Sequence, residues 1–250
     1  MNLHEFLIVC PLVFLAGFVD AIAGGGGLIS LPAYMFAGIP VHHAIATNKL
    51  SSATGTAVST WHLVKSKCVD ICLVPGTEAC AFVGSIAGAN LALIISDKVL
   101  KTVLVFVLPV VAFCVLRDKD LKPVIPEGFT RKKQYLIMAA CSFVIGIYDG
   151  FYGPGTGTFL IIAFTVFAHL NIQTANAQAK VINLTTNLTA LAIFLYNGQG
   201  VLSLGLASAA CNMLGGYIGA GLVMKNGSKI ARPSIIFVLF LLALKALGVY

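Results

Sequence analysis

The 250-residue chain is too apolar and too poor in charge for an ordinary water-soluble domain. Hydrophobic residues make up 58% of it, charged residues 10%, and its mean hydropathy is +0.95. Soluble domains are about 45–50% apolar and about 25% charged, and one core of this size cannot cover so much apolar surface. The composition argues against a soluble enzyme, a nucleic-acid binder or a disordered chain. It predicts an integral membrane protein whose surroundings are the lipid bilayer.

Long stretches without charge predict an all-α polytopic protein. A spanning helix needs about 20 apolar residues, and the strand alternation of a membrane barrel is absent. The last charge-free stretch is long enough for two helices, with a turn at Asn197–Gly200. The charge-free stretches are 21–48, 79–96, 102–116, 150–179 and 181–224.

The net charge of +7 is explained by basic residues in loops, which set the orientation of membrane helices. The densest basic cluster lies in 117–133, and we expect this segment in the cytoplasm and no nucleic-acid partner. The seven cysteines are scattered and suit packing among apolar residues. No His or Cys cluster has the spacing of a metal site, so no metal or cofactor is expected.

The sequence contains an internal repeat. Gly17, Asp20, Gly24 and Gly26 recur 129 positions later, and Ala44, Ala46 and Lys49 recur 131 positions later. Because rare charged residues match as well as the common glycines and alanines, duplication explains the pattern better than chance. The organisation that follows is a first repeat over 1–116, a cytoplasmic linker over 117–133 and a second repeat over 134–250.

Each repeat is predicted to hold four to five helical segments, 8–10 in total, and the second segment of each is short. If the short segments cross the membrane, each half has five passes and the halves are inverted; if they are re-entrant, each half has four and the halves are parallel. We expect inversion, because the basic loops 65–70, 117–133 and 225–232 then share one side. Lys98 and Lys101 fall on the other side, against the rule. The segments are 3–22, 27–39, 43–64, 71–95 and 99–116, then 134–152, 156–169, 174–196, 200–224 and 231–249.

Six charged residues are predicted to lie inside the spans or their breaks, where each costs roughly 2.5–3.5 kcal/mol and is a candidate functional residue. Four of them are repeat-related, an Asp and a Lys in each half, whereas Glu78 and Lys245 have no counterpart. We expect the latter two to lie near helix ends and reach towards water. The repeat-related four are Asp20, Lys49, Asp149 and Lys180.

Glycine loops at the start of the short helices complete a candidate anion site. Irregular backbone at membrane depth is tolerated where it lines a cavity, and a helix N-terminus there favours anions. Asp20 and Asp149 would support the loops or carry a coupling proton. Neutral donors could come from the neighbouring polar side chains Thr47, Asn48, Gln178, Asn183 and Asn187. Alternatively, Lys49–Asp20 and Lys180–Asp149 are structural ion pairs only. The predicted substrate-binding residues are Gly24, Gly25, Gly26, Gly27, Thr47, Lys49, Gly153, Gly155, Thr156, Gly157, Gln178, Lys180 and Asn183.

These loops and the lysines that follow them resemble the TauE/SafE sulfite exporter family. The resemblance rests on Gly24–Gly27 and Thr47-Asn48-Lys49 in the first half, and on Gly153–Gly157 and Gln178-Ala179-Lys180 in the second. It implies a multi-pass transporter of the bacterial inner membrane. It also implies sulfur-containing anions such as sulfite, sulfonates or sulfoacetate as substrates.

The expected function is therefore secondary transport of such an anion, in the direction of export, by alternating access. An anion channel with the same pore residues, or a transporter of another small organic anion, remains an alternative. We do not expect this protein to be an enzyme, because the sequence has no nucleophile–base pair and no nucleophile elbow. It also lacks a Walker A sequence, so ATP-driven transport is not expected. The sequence leaves homo-oligomerisation open.

Overall fold

The computed structural model describes residues 3–96, 99 and 128–226, and within them the chain is all-helical. Each half has the same order of lengths: a long helix, a short helix and then two long helices. A 3₁₀ turn, Ile71–Leu73, precedes the last of the long helices described in the first half. The helices are α1 Leu3–Ala23, α2 Gly27–Phe36, α3 Val41–Lys65, α4 Val74–Ile94, α5 Arg131–Phe151, α6 Thr156–Val166, α7 Ile172–Tyr196 and α8 Leu202–Asn226.

The predicted all-α polytopic class is confirmed, and eight predicted segments match helices within a few residues. Five helical stretches are long and apolar enough to cross a membrane: α1, α4 with its 3₁₀ turn, α5, α7 and α8. The predicted fifth segments, 99–116 (except residue 99) and 231–249, lie outside the described residues, as do most of the basic cluster 117–133, Lys98, Lys101 and Lys245.

Helix α3, which corresponds to the predicted segment 43–64, is long enough to span a membrane but is more polar than these five stretches. It contains 25 residues, which corresponds to about 37 Å at 1.5 Å per residue. Its buried residues include Thr47, Asn48, Lys49, Ser51 and Thr56. The helix packs against α2, α7 and α8, so neighbouring helices rather than lipid cover its polar side chains.

The two halves are joined where glycines of one helix contact the backbone of another, and we call these contact lines glycine seams. A Cβ built on Gly84 of α4 would lie 2.3 Å from the main-chain oxygen of Phe143 in α5. One built on Gly215 of α8 would lie 2.1 Å from that of Phe14 in α1. These distances leave no room for a side chain, so the small residues allow close backbone approach, as expected for membrane helices.

The contacts along the seams advance in the same direction on both helices. Phe14 and Phe18 of α1 face Gly215 and Gly219 of α8 in order. Likewise Phe143 and Ile147 of α5 face Gly84 and Gly88 of α4. Helices α1 and α8 therefore run parallel to each other, and so do α4 and α5. Each pair combines the first long helix of one half with the last described helix of the other.

Candidate functional site

The two glycine loops meet at the centre of the structure. Gly24 follows α1 with a φ of +77°, and a Cβ there would lie 2.2 Å from the carbonyl carbon of Gly157. The N–H of Thr158 donates to the Gly24 oxygen at 3.2 Å, and the Thr158 hydroxyl donates to the Ala23 oxygen at 2.6 Å. A left-handed conformation and this contact both favour glycine at position 24. The loops thus form a junction between the two halves.

Each repeat-related lysine pairs with the aspartate of the opposite half. Lys49 Nζ lies 2.8 Å from Asp149 Oδ2, and Lys180 Nζ lies 2.5 Å from Asp20 Oδ2. The Lys49, Lys180 and Asp149 side chains are at most 2% exposed, and that of Asp20 is 16% exposed. The alternative pairing within each half, Lys49 with Asp20 and Lys180 with Asp149, is not the one found. Spacing along the chain permits either arrangement, and the packing of the halves selects this one.

Each aspartate also contacts the loop of its own half. Asp149 Oδ1 accepts a hydrogen bond from the Thr156 hydroxyl at 2.7 Å. Asp20 Oδ1 accepts one from the N–H of Gly26 at 3.3 Å. One carboxylate oxygen therefore holds the start of a short helix while the other faces a lysine from the other half. Buried charges need such partners, because an unpaired buried charge is costly.

Three of the four paired residues, Asp20, Lys49 and Asp149, border a polar cavity of about 10 Å³, which is room for about one water molecule. Lys180 pairs with Asp20 but does not itself line the cavity. Asn48 and Asn187, two of the polar neighbours expected to add neutral donors, line it, and so does Ser52, which the sequence analysis did not single out. The repeat could have identified Ser52 from the sequence, because Ser52 is the counterpart of the predicted site residue Asn183. The lining residues are Asp20, Gly24, Gly27, Asn48, Lys49, Ser52, Asp149, Gly153, Thr156, Gly157, Asn183 and Asn187.

The amide groups beside the cavity are held by polar neighbours. The Ser30 hydroxyl lies 2.5 Å from Asn48 Oδ1. Asn187 Nδ2 donates to Asn183 Oδ1 at 3.0 Å. Because these oxygens are engaged, the Nδ2 groups of Asn48 and Asn183 are the parts left to donate towards the cavity. These amide donors complement an oxyanion, which only accepts hydrogen bonds, whereas the carboxylates of Asp20 and Asp149 line the same cavity as acceptors.

The remaining predicted site residues lie beside the cavity without lining it. Gly25, Gly26 and Gly155 accept the first main-chain hydrogen bonds of α2 and α6 through their oxygens. Thr47 and Gln178 hold loops instead: the N–H of Val201 donates to Thr47 Oγ1 at 2.9 Å, and Gln178 Nε2 donates to the Asp70 oxygen at 2.7 Å.

Glu78 lies in the first turns of α4, half-buried, where its carboxylate accepts a hydrogen bond from the Thr185 hydroxyl at 3.1 Å. This position near a helix end agrees with the sequence expectation. Within residues 3–96, 99 and 128–226, no group of three or more His, Cys, Asp or Glu is arranged to hold a metal ion.

These features define a class of protein: a multi-pass helical membrane protein with a duplicated, charged centre. The chain belongs to the sulfite exporter TauE/SafE family, whose model matches residues 9–246. It is a membrane transporter of that family, as the resemblance at the glycine loops and lysines predicted.

Three curated relatives support this assignment. The chain is 35% identical over 238 residues to "Probable membrane transporter protein YfcA" of Escherichia coli strain K12, covering 93% of this chain and 86% of the relative. A "Probable membrane transporter protein" of Haemophilus influenzae is 34% identical, covering 93% and 90%. "Probable membrane transporter protein ORF9" of Sinorhizobium sp. is 33% identical, covering 99% and 93%. No solved structure matches the chain.

Proposed function

We propose that this protein is a secondary transporter that exports small sulfur-containing anions, such as sulfite, sulfonates or sulfoacetate, by alternating access. The observation that carries the proposal is the pair of buried lysines, Lys49 and Lys180, each neutralised by an aspartate of the opposite half at the glycine-loop junction. Buried charge is retained at membrane depth mainly where it serves transport. Family membership supports the substrate class.

The anion would bind between the two lysines and the two loops. Lys49 and Lys180 supply positive charge, while the N–H groups of Gly27 and Gly157, which line the cavity at the starts of α2 and α6, would supply neutral donors at helix N-termini. Asn183, together with Asn48, would add side-chain amide donors. This combination of charge, main-chain donors and amides complements the acceptor-only oxygens of a sulfite or sulfonate group.

Binding requires the cavity to widen and the ion pairs to loosen. A cavity of about 10 Å³ admits about one water molecule, whereas a sulfur oxyanion has at least four heavy atoms. In the narrow state the carboxylates act as counter-ions of the lysines, and in the wide state the anion takes that place. Protonation of Asp20 or Asp149 would remove the repulsion between carboxylate and anion, which couples anion movement to a proton.

The inverted arrangement of the repeats is part of this proposal, and the helix directions support it. Helix α4 runs parallel to α5, and α8 runs parallel to both α1 and α3, since Gly55 and Ser59 of α3 face Asn212 and Gly216 of α8 in order. Short connections, 66–73 and 197–201, favour a reversal between α3 and α4 and between α7 and α8. Helix α5 then opposes α1, as inverted repeats require. We place segment 117–133 in the cytoplasm, because basic loops face that side.

The test is flux of radiolabelled sulfite and sulfonate into liposomes that contain wild-type protein, Lys49→Ala or Lys180→Ala. We expect wild-type flux and a loss of at least about tenfold in each variant, because each lysine supplies about half of the positive charge at the site. Lys65→Ala, an exposed lysine at the end of α3, is the control and should keep its flux. Undiminished flux in both site variants would refute the lysine assignment, and wild-type liposomes silent for every sulfur anion would refute the substrate.

The same liposomes separate a transporter from an anion channel. A channel moves an anion only down its electrochemical gradient. A proton gradient imposed at zero membrane potential should therefore not concentrate a sulfonate, which stays ionised at both pH values, in channel-containing liposomes. We expect concentrative movement that collapses when a protonophore is added. If flux is purely passive under these conditions, the same residues form a channel. If sulfur anions fail but another small organic anion moves uphill, the substrate class changes and the mechanism stands.

A further inference from the structure

A loop from the second half is bound to the first part of α3. The N–H of Gly200 donates to His43 Nδ1 at 3.0 Å, and the N–H of Val201 donates to Thr47 Oγ1 at 2.9 Å. Thr47 is buried, so its hydroxyl reaches the loop from within the packed helices. We call this contact the first dock.

A loop from the first half is bound in the corresponding way to the first part of α7. Gln178 Nε2 donates to the main-chain oxygen of Asp70 at 2.7 Å, and Gln173 Nε2 donates to Cys68 Sγ at 3.6 Å. Gln178 is fully buried. It is the repeat counterpart of Thr47, although the side chains differ. We call this contact the second dock.

The two docks lie at opposite ends of the same helices. The first dock is on the seventh residue of α3, and the second involves the loop that follows its last residue, Lys65. The distance along the helix from Thr47 to Lys65 is about 27 Å at 1.5 Å per residue. On α7 the order is reversed, because Gln178 is near its start and the loop of the first dock follows its end.

The docked residues are adjacent to the charged centre. Thr47 precedes Lys49 by two positions, and Gln178 precedes Lys180 by two. Each dock therefore fixes the stretch of helix that carries one of the two lysines. Both docks are closed in this structure, in agreement with the narrow cavity between them.

We propose that the two docks are the two gates of the central cavity, one on each face of the membrane, with Thr47 and Gln178 as the residues that hold them shut. This rests on the proposed alternating access. The dock contacts are neutral hydrogen bonds, which are weak enough to open reversibly, whereas the cross-half ion pairs hold the centre. The loop of the second dock is also held by the exposed Arg131–Asp70 ion pair, which water screens. Opening one dock exposes the cavity to one side while the other dock keeps the opposite side closed.

The experiment measures sided access to the cavity and needs no substrate. Ser52, which lines the cavity, is replaced by Cys in a chain whose seven native cysteines are changed to Ser or Ala. A charged maleimide that cannot cross membranes is then applied to right-side-out or inside-out vesicles. The labelling rate of the Ser52→Cys variant alone is compared with its rate when Thr47→Val or Gln178→Met is added.

We expect Thr47→Val to speed labelling from one side and Gln178→Met to speed it from the other, each by about two- to tenfold, the effect of one lost hydrogen bond. Thr165→Val is the control for the first, because Thr165 is equally buried but bonds only within its own helix. Gln134→Met is the control for the second, since Gln134 donates to Ala168 away from the cavity. Neither control should change the rate.

Several results would overturn the gate assignment: faster labelling from the same side in both variants, unchanged rates in both, or equal effects of the controls. If a variant fails to fold, Val201→Pro removes the N–H of the first dock while Thr47 stays intact and should reproduce the Thr47→Val result. Labelling does not depend on the transported anion. The gate assignment can therefore still be tested if no sulfite flux is found, and the flux test can still be interpreted if the gate assignment is wrong.

Discussion

Lys49 lies 2.8 Å from Asp149, a residue 100 positions further along the chain and in the other half of the structure. Lys180 and Asp20 repeat this relationship in reverse. The two halves are therefore joined at their centre by charge as well as by glycine contacts. A rearrangement of one half relative to the other has to change the surroundings of both lysines, which links the charged site directly to movement.

Breaking the Lys49–Asp149 pair on one side should destabilise the protein strongly. Lys49→Met leaves the Asp149 carboxylate buried without its cation, so the free energy of unfolding should fall by about 3–5 kcal/mol. The double variant Lys49→Met/Asp149→Asn buries no net charge and should recover most of the loss, but not anion flux. Thermal unfolding in detergent measures stability, and liposome flux measures function. A single variant as stable as the wild type would contradict the burial of this pair.

The exposed pair at the surface should behave differently. Arg131 pairs with Asp70, but their side chains are 61% and 25% exposed. Exposed ion pairs contribute about 0–1 kcal/mol, because water screens them. Arg131→Gln should therefore lower the free energy of unfolding by less than about 1 kcal/mol, measured in the same detergent. A loss comparable to that of Lys49→Met would mean that Arg131 supports more than this contact.

The contact between the glycine loops should tolerate no side chain. Gly24→Ala places a Cβ 2.2 Å from the carbonyl carbon of Gly157 at a φ of +77°, so we expect little folded protein. Gly198→Ala is the matched control, because its φ is +70° and a Cβ would meet nothing within 4 Å. That variant should lose only about 1–2 kcal/mol, the cost of the left-handed conformation. Folded yield by size-exclusion chromatography distinguishes the two, and equal yields would contradict the contact.

A helical glycine at a contact between two helices should respond to substitution differently from a helical glycine that faces open space. Gly88→Ala puts a Cβ 2.0 Å from the main-chain oxygen of Ile147, which forces α4 and α5 apart and should lower the thermal midpoint. Gly221→Ala in α8 meets nothing within 4 Å and should be neutral or raise stability by up to about 1 kcal/mol, since alanine favours helix. If the two variants have the same thermal midpoint, α4 and α5 do not pack as closely as described.

The membrane class, the repeat and the charged candidates could be predicted from residues alone, because each depends on local chemistry. A stretch such as 181–224 contains no charge, and the cost of charge in lipid makes that informative wherever the stretch lies. Helix α3 shows the limit, since its polar residues are stable in a span only because α2, α7 and α8 cover them. Thr47 and Gln178 show the same limit for the site, because nothing in the local sequence distinguishes a polar side chain that faces the cavity from one that binds a loop.

By itself, the sequence determined that two Lys–Asp sets and two glycine loops exist as copies, because duplication preserves residue type and spacing. Only the tertiary structure decided which lysine faces which aspartate, which of the neighbouring polar side chains line the cavity together with Ser52, and how small that cavity is. The reason is physical: an ion pair depends on distance through space, and this distance is set by how the halves pack along their glycine seams. Spacing along the chain fits Lys49 with either aspartate, and the packing of the halves brings Asp149 to 2.8 Å from it.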